Sequence, residues 1–137
     1  MKAPRQGAKT RDQRAVQAPV VAIVDDDASV RQSMLRLIHS FGYRGEAFGS
    51  GEEFLASGVA AQTACLVLDV RMPGMDGLDI QRRVTEKRAG IPIIFLTGRA
   101  TDDEERRARC EGAIDFLRKP VGRTELLEAL QKVLEQK

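Results

Sequence analysis

Aromatic residues make up only 4% of the 137 residues, with no Trp. That argues against a platform on which the bases of single-stranded nucleic acid could stack. Two cysteines, Cys65 and Cys110, are too few for a disulfide framework or a zinc knuckle. Cys65 lies in the apolar run Ala64-Cys65-Leu66-Val67-Leu68 and reads as a small buried hydrophobe of a reducing compartment. The longest apolar runs reach only five to seven residues, too short for a helix to cross a bilayer. The basic N-terminus is not followed by the apolar stretch of a signal peptide, so the cytoplasm is the expected compartment. Nor does one sign of charge dominate: the net charge is +2. This small excess is uneven. Residues 1–19 hold five cations against one acid, whereas the remaining 118 hold 17 against 19.

What is present is an ordinary globular mix, 42% apolar and 31% charged, sufficient for one domain with a full core. Residues 1–18 lack periodicity and are rich in Lys, Arg, Gln, Ala and Gly, the composition of a mobile basic arm. Residues 19–137 form the expected domain. Val20–Val24 is a continuous β-branched run, and Ala28–Phe41 carries a helical stripe at Val30, Met34, Leu37, Ile38 and Phe41. Arg44–Phe48 has the mixed character of an edge strand, and Ser50-Gly51-Glu52-Glu53 opens a short helix as a capping box. Ala64–Leu68 is the third run, and a Pro/Gly-rich loop then leads into a helix over about 77–89. Ile91–Leu96 is the fourth run. Thr101 and Glu104 form a second capping box, whose helix stops near Gly112. Ala113–Leu117 is the fifth run, and a last helix covers about 123–136. Five strands alternating with five helices predict a doubly wound parallel α/β sheet, and the unbroken apolar runs suit strands buried on both faces.

The chemistry follows the ends of the runs. Asp25 and Asp26 follow the first, Asp69 the third, Thr97 the fourth and Lys119 the fifth. In an open parallel sheet all carboxyl ends share one edge, where ligands bind at the switch point. In the flavodoxin-like order 2-1-3-4-5, adopted from known sheets, strands one and three are neighbours and their three carboxylates meet. Clustered carboxylates need neutralising, and their hard oxygens suit Mg²⁺. A carboxylate, a divalent metal, a lysine and a hydroxyl on one edge are the parts for moving a phosphoryl group onto a carboxylate.

The stretches VAIVDDD, LVLDVRMPGMDGLD, IIFLTG and AIDFLRKP resemble the receiver domain of two-component response regulators over residues 20–136. The wording DVRMPGMDGLDIQ is most similar to the FixJ-like subfamily, whose members usually append a LuxR-type helix-turn-helix. The resemblance implies that Asp69 accepts a phosphoryl group from a sensor histidine kinase or a phosphotransfer protein. It implies Mg²⁺ held by Asp26 and Asp69 directly, by Asp25 through water and by the backbone carbonyl of Arg71. Lys119 would pair with the phosphoryl oxygens, with Lys119–Pro120 a cis bond. Thr97 would swing toward the phosphoryl group and Phe116 would turn inward behind it, a two-state element. Phe116 stands where Tyr is commoner and must act by packing alone. Gly98 would leave the site accessible, while Arg71 and Arg99 would modulate hydrolysis of the acyl phosphate. Such a domain is a phospho-acceptor rather than an enzyme. Its helix 4–strand 5–helix 5 face would control a partner, a second copy or an attached transcription-regulating domain, without itself binding nucleic acid or membrane.

Other features read more plainly. His39 is expected near a helix end with no ligand role, Asp76 and Asp79 as a cap and a solvent-facing residue, and Arg106, Arg107 and Arg109 as part of a salt-bridged surface. The rival reading is a haloacid-dehalogenase-like, Mg²⁺-dependent phosphatase using Asp25. It needs acidic ligands after Lys119, where only Glu125, Glu128 and Glu135 are on offer, and it leaves Asp69 without a role.

Overall fold

Five parallel strands, β1 (Val20–Val24), β2 (Arg44–Phe48), β3 (Thr63–Asp69), β4 (Ile93–Thr97) and β5 (Asp115–Arg118), form one sheet in the order β2-β1-β3-β4-β5 in a computed structural model. The structure describes residues 19–87 and 90–135. The arm expected over 1–18 lies outside the described residues, as do 88, 89 and 136 at the expected helix ends. Helices α1 (Ala28–Ser40), α2 (Gly51–Ser57), α3 (Gly77–Lys87), α4 (Asp102–Cys110) and α5 (Arg123–Leu134) connect or follow the strands. This is the expected flavodoxin-like arrangement.

The two cores follow from strand alternation, since successive side chains point to opposite faces. Val21 and Ile23 of β1 join Cys65 and Val67 of β3 and Ile94 and Leu96 of β4, covered by Met34 and Ile38 of α1 and by Leu126 and Leu130 of α5. Ala22, Val24, Leu66, Leu68 and Phe95 face the other side, beneath Phe54 of α2, Ile80 and Val84 of α3 and Ala108 of α4. Every residue of β1 and β4 is buried, as befits central strands, whereas β2 is half-buried along its length.

The helix starts obey their caps. Ser50 Oγ accepts from Glu53 N at 3.1 Å, and Thr101 and Glu104 make a complete reciprocal box. Strand starts shift from expectation. Pro92 lacks the N–H to enter the ladder, so β4 begins at Ile93, and Pro92 contributes only its carbonyl, to Leu66 N at 2.9 Å. Ala113 N is spent on Ala108 O at 2.9 Å, closing α4, and β5 begins two residues later than its apolar run. A 3₁₀ turn, Val59–Gln62, which the sequence pattern did not signal, joins α2 to β3.

Candidate functional site

The ladder register brings the chemical residues to one edge. Val24 pairs with Leu68, and Leu68 with Phe95, so Asp25, Asp69 and Thr97 emerge side by side at the carboxyl ends of β1, β3 and β4. Asp25 is fully buried. Its backbone is held by Phe48 O, which accepts Asp25 N at 3.1 Å, and by Arg31, whose Nη1 donates to Asp25 O at 2.7 Å. Asp69 is also buried, and Asp26 is exposed beside it. Carboxylate oxygens of Asp25, Asp26 and Asp69 all lie within 4.8 Å of one another.

Lys119 reaches this cluster from the end of β5, with Nζ 2.8 Å from Asp25 Oδ2 and 3.3 Å from Asp69 Oδ2. The buried Asp25 Oδ2 thus has an ionic neighbour but no hydrogen-bond partner. Asp25 Oδ1, by contrast, accepts Asp27 N at 2.9 Å. Burial, then the negative charge of Asp25, push the Asp69 carboxyl above its ordinary range, against the opposing pull of Lys119 and of Arg71 N. Burial alone would lower Lys119, but its close pairing with the carboxylates of Asp25 and Asp69 outweighs this and raises it. One ammonium against three carboxylates leaves a negative surplus. Hard oxygen donors, excess charge and an under-bonded buried oxygen together fit a small divalent cation on Asp25, Asp26 and Asp69.

Around this centre the other expected residues are brought near in different ways. Thr97 is buried, and its Oγ1 accepts Arg99 N at 3.0 Å and Ala100 N at 2.7 Å, so its hydroxyl oxygen is engaged by its own loop. Gly98 is exposed, with open space where a Cβ would stand. Lys119–Pro120 is cis. Arg71 and Arg99 line a cleft of about 350 Å³ at the rim. Arg71 N donates to Asp69 Oδ1 at 3.3 Å, while its guanidinium pairs with Glu104 of α4 at 2.9 Å. Phe116 is already buried, its ring 5.6 Å from that of Phe95. A phenyl ring has no polar tip to keep wet, so the inward position carries no desolvation cost.

Some assignments by sequence were incomplete. Asp27, part of the acidic run, is the N-cap of α1, accepting Ser29 N at 2.8 Å and Val30 N at 3.3 Å. Arg31 and Glu104 were not singled out for the site. Arg31 carried no local signal, and Glu104 was fully explained by its capping box. Asp76 Oδ1 accepts Asp79 N at 3.0 Å, a capping role at α3. Arg106 pairs with Asp103, and Arg109 and Arg118 with Glu105, the salt-bridged surface expected. The acids the phosphatase reading needs are elsewhere: Glu125 caps Gly122 N at 3.2 Å, and Glu135 accepts the Tyr43 hydroxyl.

Comparison with known proteins places the chain in a family. Residues 21–131 match the family described as the response regulator receiver domain. The chain is 44% identical over 117 residues to nodulation protein W of Bradyrhizobium diazoefficiens, covering 85% of this chain and 52% of that protein. It is 41% identical over 119 residues to response regulator protein TmoT of Ectopseudomonas mendocina, covering 87% and 54%. Transcriptional regulatory protein FixJ of Bradyrhizobium diazoefficiens is 32% identical over 116 residues, covering 85% and 57%. The chain thus spans about half the length of these curated relatives. Among solved structures, response regulator StyR superposes with a TM-score of 0.79 at 42% identity, covering 86% of this chain and 60% of that one. Chemotaxis protein CheY4 of Vibrio cholerae gives a TM-score of 0.79 at 31% identity, covering 85% and 99%. The chain belongs to the response regulator receiver domain family.

Proposed function

We propose that residues 19–137 are a phosphorylation-activated switch in which Asp69 accepts a phosphoryl group from a histidine of a sensor kinase or phosphotransfer protein. The observation that carries this reading is Lys119 Nζ lying between the buried carboxylates of Asp25 and Asp69, at 2.8 and 3.3 Å. In the transfer, an Asp69 oxygen forms a bond to phosphorus as the P–N bond of the donor breaks, its electron pair returning to the imidazole. Lys119 pairs with the phosphoryl oxygens as their charge develops. Asp26 and Asp69 would hold Mg²⁺ directly, Asp25 through water, and the Arg71 carbonyl would complete the protein ligands. Bound there, Mg²⁺ supplies charge neutralisation on the phosphoryl group.

Thr97, released from its own loop, donates its hydroxyl to the new anion, and Phe116 fills space behind it. Because Phe116 is buried beforehand, the Thr97 movement carries the larger part of the switch. Gly98 keeps the approach open, and Arg71 and Arg99 set the lifetime of the acyl phosphate. The domain is a phospho-acceptor with slow self-dephosphorylation, not a turnover enzyme. Its α4–β5–α5 face passes the signal to a partner, a second copy or an attached transcription-regulating domain, with no direct contact to nucleic acid or membrane. The cytoplasm is its compartment.

The test is intact mass after incubation with acetyl phosphate and Mg²⁺. A single phosphoryl adduct, lost on chelation and in Asp69→Asn, is expected. An adduct that survives Asp69→Asn and disappears in Asp25→Asn would overturn the reading in favour of the phosphatase chemistry.

A further inference from the structure

The first turn of α4 carries four acids in a row, Asp102, Asp103, Glu104 and Glu105. Glu104, Asp103 and Glu105 are ion-paired. Asp103 pairs with Arg106 of the same helix at 2.7 Å. Glu105 pairs with Arg109 of the same helix at 3.0 Å and with Arg118 of β5 at 3.6 Å. Glu104 differs in where its cation comes from: Arg71, in the loop that leaves the β3 carboxylate, at 2.9 Å. Arg71 is two residues past Asp69, and its N–H is 3.3 Å from Asp69 Oδ1. Its side chain therefore leaves the backbone beside the Asp69 carboxylate and crosses to α4.

The same Glu104 oxygen, Oε1, also accepts Thr101 N at 2.9 Å, while Glu104 N donates to Thr101 Oγ1 at 3.1 Å. Loss of Arg71 would leave that capping box intact. It would also leave a carboxylate at a helix N-terminus, where negative charge is favoured. Departure of the arginine thus sacrifices one half-exposed ion pair and nothing of the helix. A phosphoryl group on Asp69 would present more charge and more acceptor oxygens than Glu104 does, a few bonds from the arginine's own backbone.

We propose that Arg71 is shared between two anions, Glu104 in the resting domain and the phosphoryl group once Asp69 carries it, and that Glu104 positions Arg71 away from the acceptor until then. The inference rests on the reading of Asp69 as phospho-acceptor and adds the coupling of that site to the first turn of α4. Glu104 acts only through Arg71. By linkage, the free energy with which Glu104 retains the arginine is the same free energy withheld from the incoming phosphoryl group.

The experiment measures the rate of adduct formation by the full chain with acetyl phosphate and Mg²⁺, in which an Asp69 oxygen bonds to phosphorus and acetate leaves with the electron pair of the broken O–P bond. Four chains are compared: the parent, Glu104→Gln, Arg71→Ala and the double variant. Glutamine can still accept Thr101 N and so preserves the capping box. Glu104→Gln is expected to speed adduct formation about two- to fivefold, the scale a partly exposed ion pair supports. In the Arg71→Ala background the same substitution should change nothing, a non-additivity that a merely structural or long-range electrostatic role would not produce. An equal acceleration in both backgrounds, or none in either, overturns the proposal while leaving Asp69 as acceptor. Absence of adduct in all four chains, the parent included, overturns the acceptor reading and this proposal with it.

Discussion

Asp69 is held at a cost. Burial and the neighbouring Asp25 raise its carboxyl, so the charged form is less stable in the folded domain than in the unfolded chain. For an acid raised in this direction, the penalty is absent at pH below the unfolded value. It grows as pH rises toward the folded one and is complete above it. Metal-free protein therefore bears more of this penalty as the pH is raised. Asp69→Asn is expected to raise the Tm of the metal-free domain at pH 7, because it removes the penalty of a buried charge beside Asp25. The gain should fade as pH falls toward the ordinary aspartate value near about 4 and be absent below it. Thermal denaturation in chelator at the two pH values reads both. At this scale the sequence was informative where a residue sits at the end of an apolar run, as Asp69, Thr97 and Lys119 do. It was uninformative where two surface residues meet across the fold: nothing local links Arg71 to Glu104, or Arg31 to the carbonyl of Asp25.

Between β3 and α3 the loop carries Asp69 at one end and a tightly seated glycine at the other. A Cβ on Gly77 would stand 2.4 Å from Asp69 O and 2.9 Å from Val70 Cα, both backbone atoms that cannot swing aside. Gly77 N also donates to Val70 O at 2.9 Å, fastening α3 to the end of the strand. Gly77→Ala should therefore destabilise the domain by about 2–4 kcal/mol, as overpacking against backbone does. It should also displace the Asp69 carboxylate, whereas Gly98→Ala, with open space at its Cβ, should be stable. Urea unfolding of the two variants separates them. Helix starts were legible because Ser50, Thr101 and Glu104 announce themselves by spacing. Strand starts at β4 and β5 were not, because hydrophobicity marks burial and not which N–H enters the ladder. Ile91, Ala113 and Ile114 are apolar yet precede their strands.

For the whole domain, the architecture concentrates negative charge at the carboxyl edge, with the two cores on either face of the sheet as a rigid mount. The parallel order was readable from the alternation of runs, but the order 2-1-3-4-5 required knowledge of related sheets, since pattern alone does not say which strands adjoin. A cation that relieves the repulsion binds the folded domain and not the unfolded chain. Mg²⁺ at about a hundred times its Kd should therefore stabilise the domain by about 2.7 kcal/mol. In Asp26→Asn the Tm response to the same Mg²⁺ concentration should be largely lost, and an undiminished response would remove Asp26 from the ligand set.

Chemical trapping identifies which residue takes the phosphoryl group. After reaction with acetyl phosphate and Mg²⁺, borohydride reduces an acyl phosphate to the alcohol, converting the labelled aspartate to homoserine. Peptide mass spectrometry then locates that residue in the chain. Homoserine at position 69 alone is expected; homoserine at position 25 or 26 would rule out Asp69 as the phospho-acceptor.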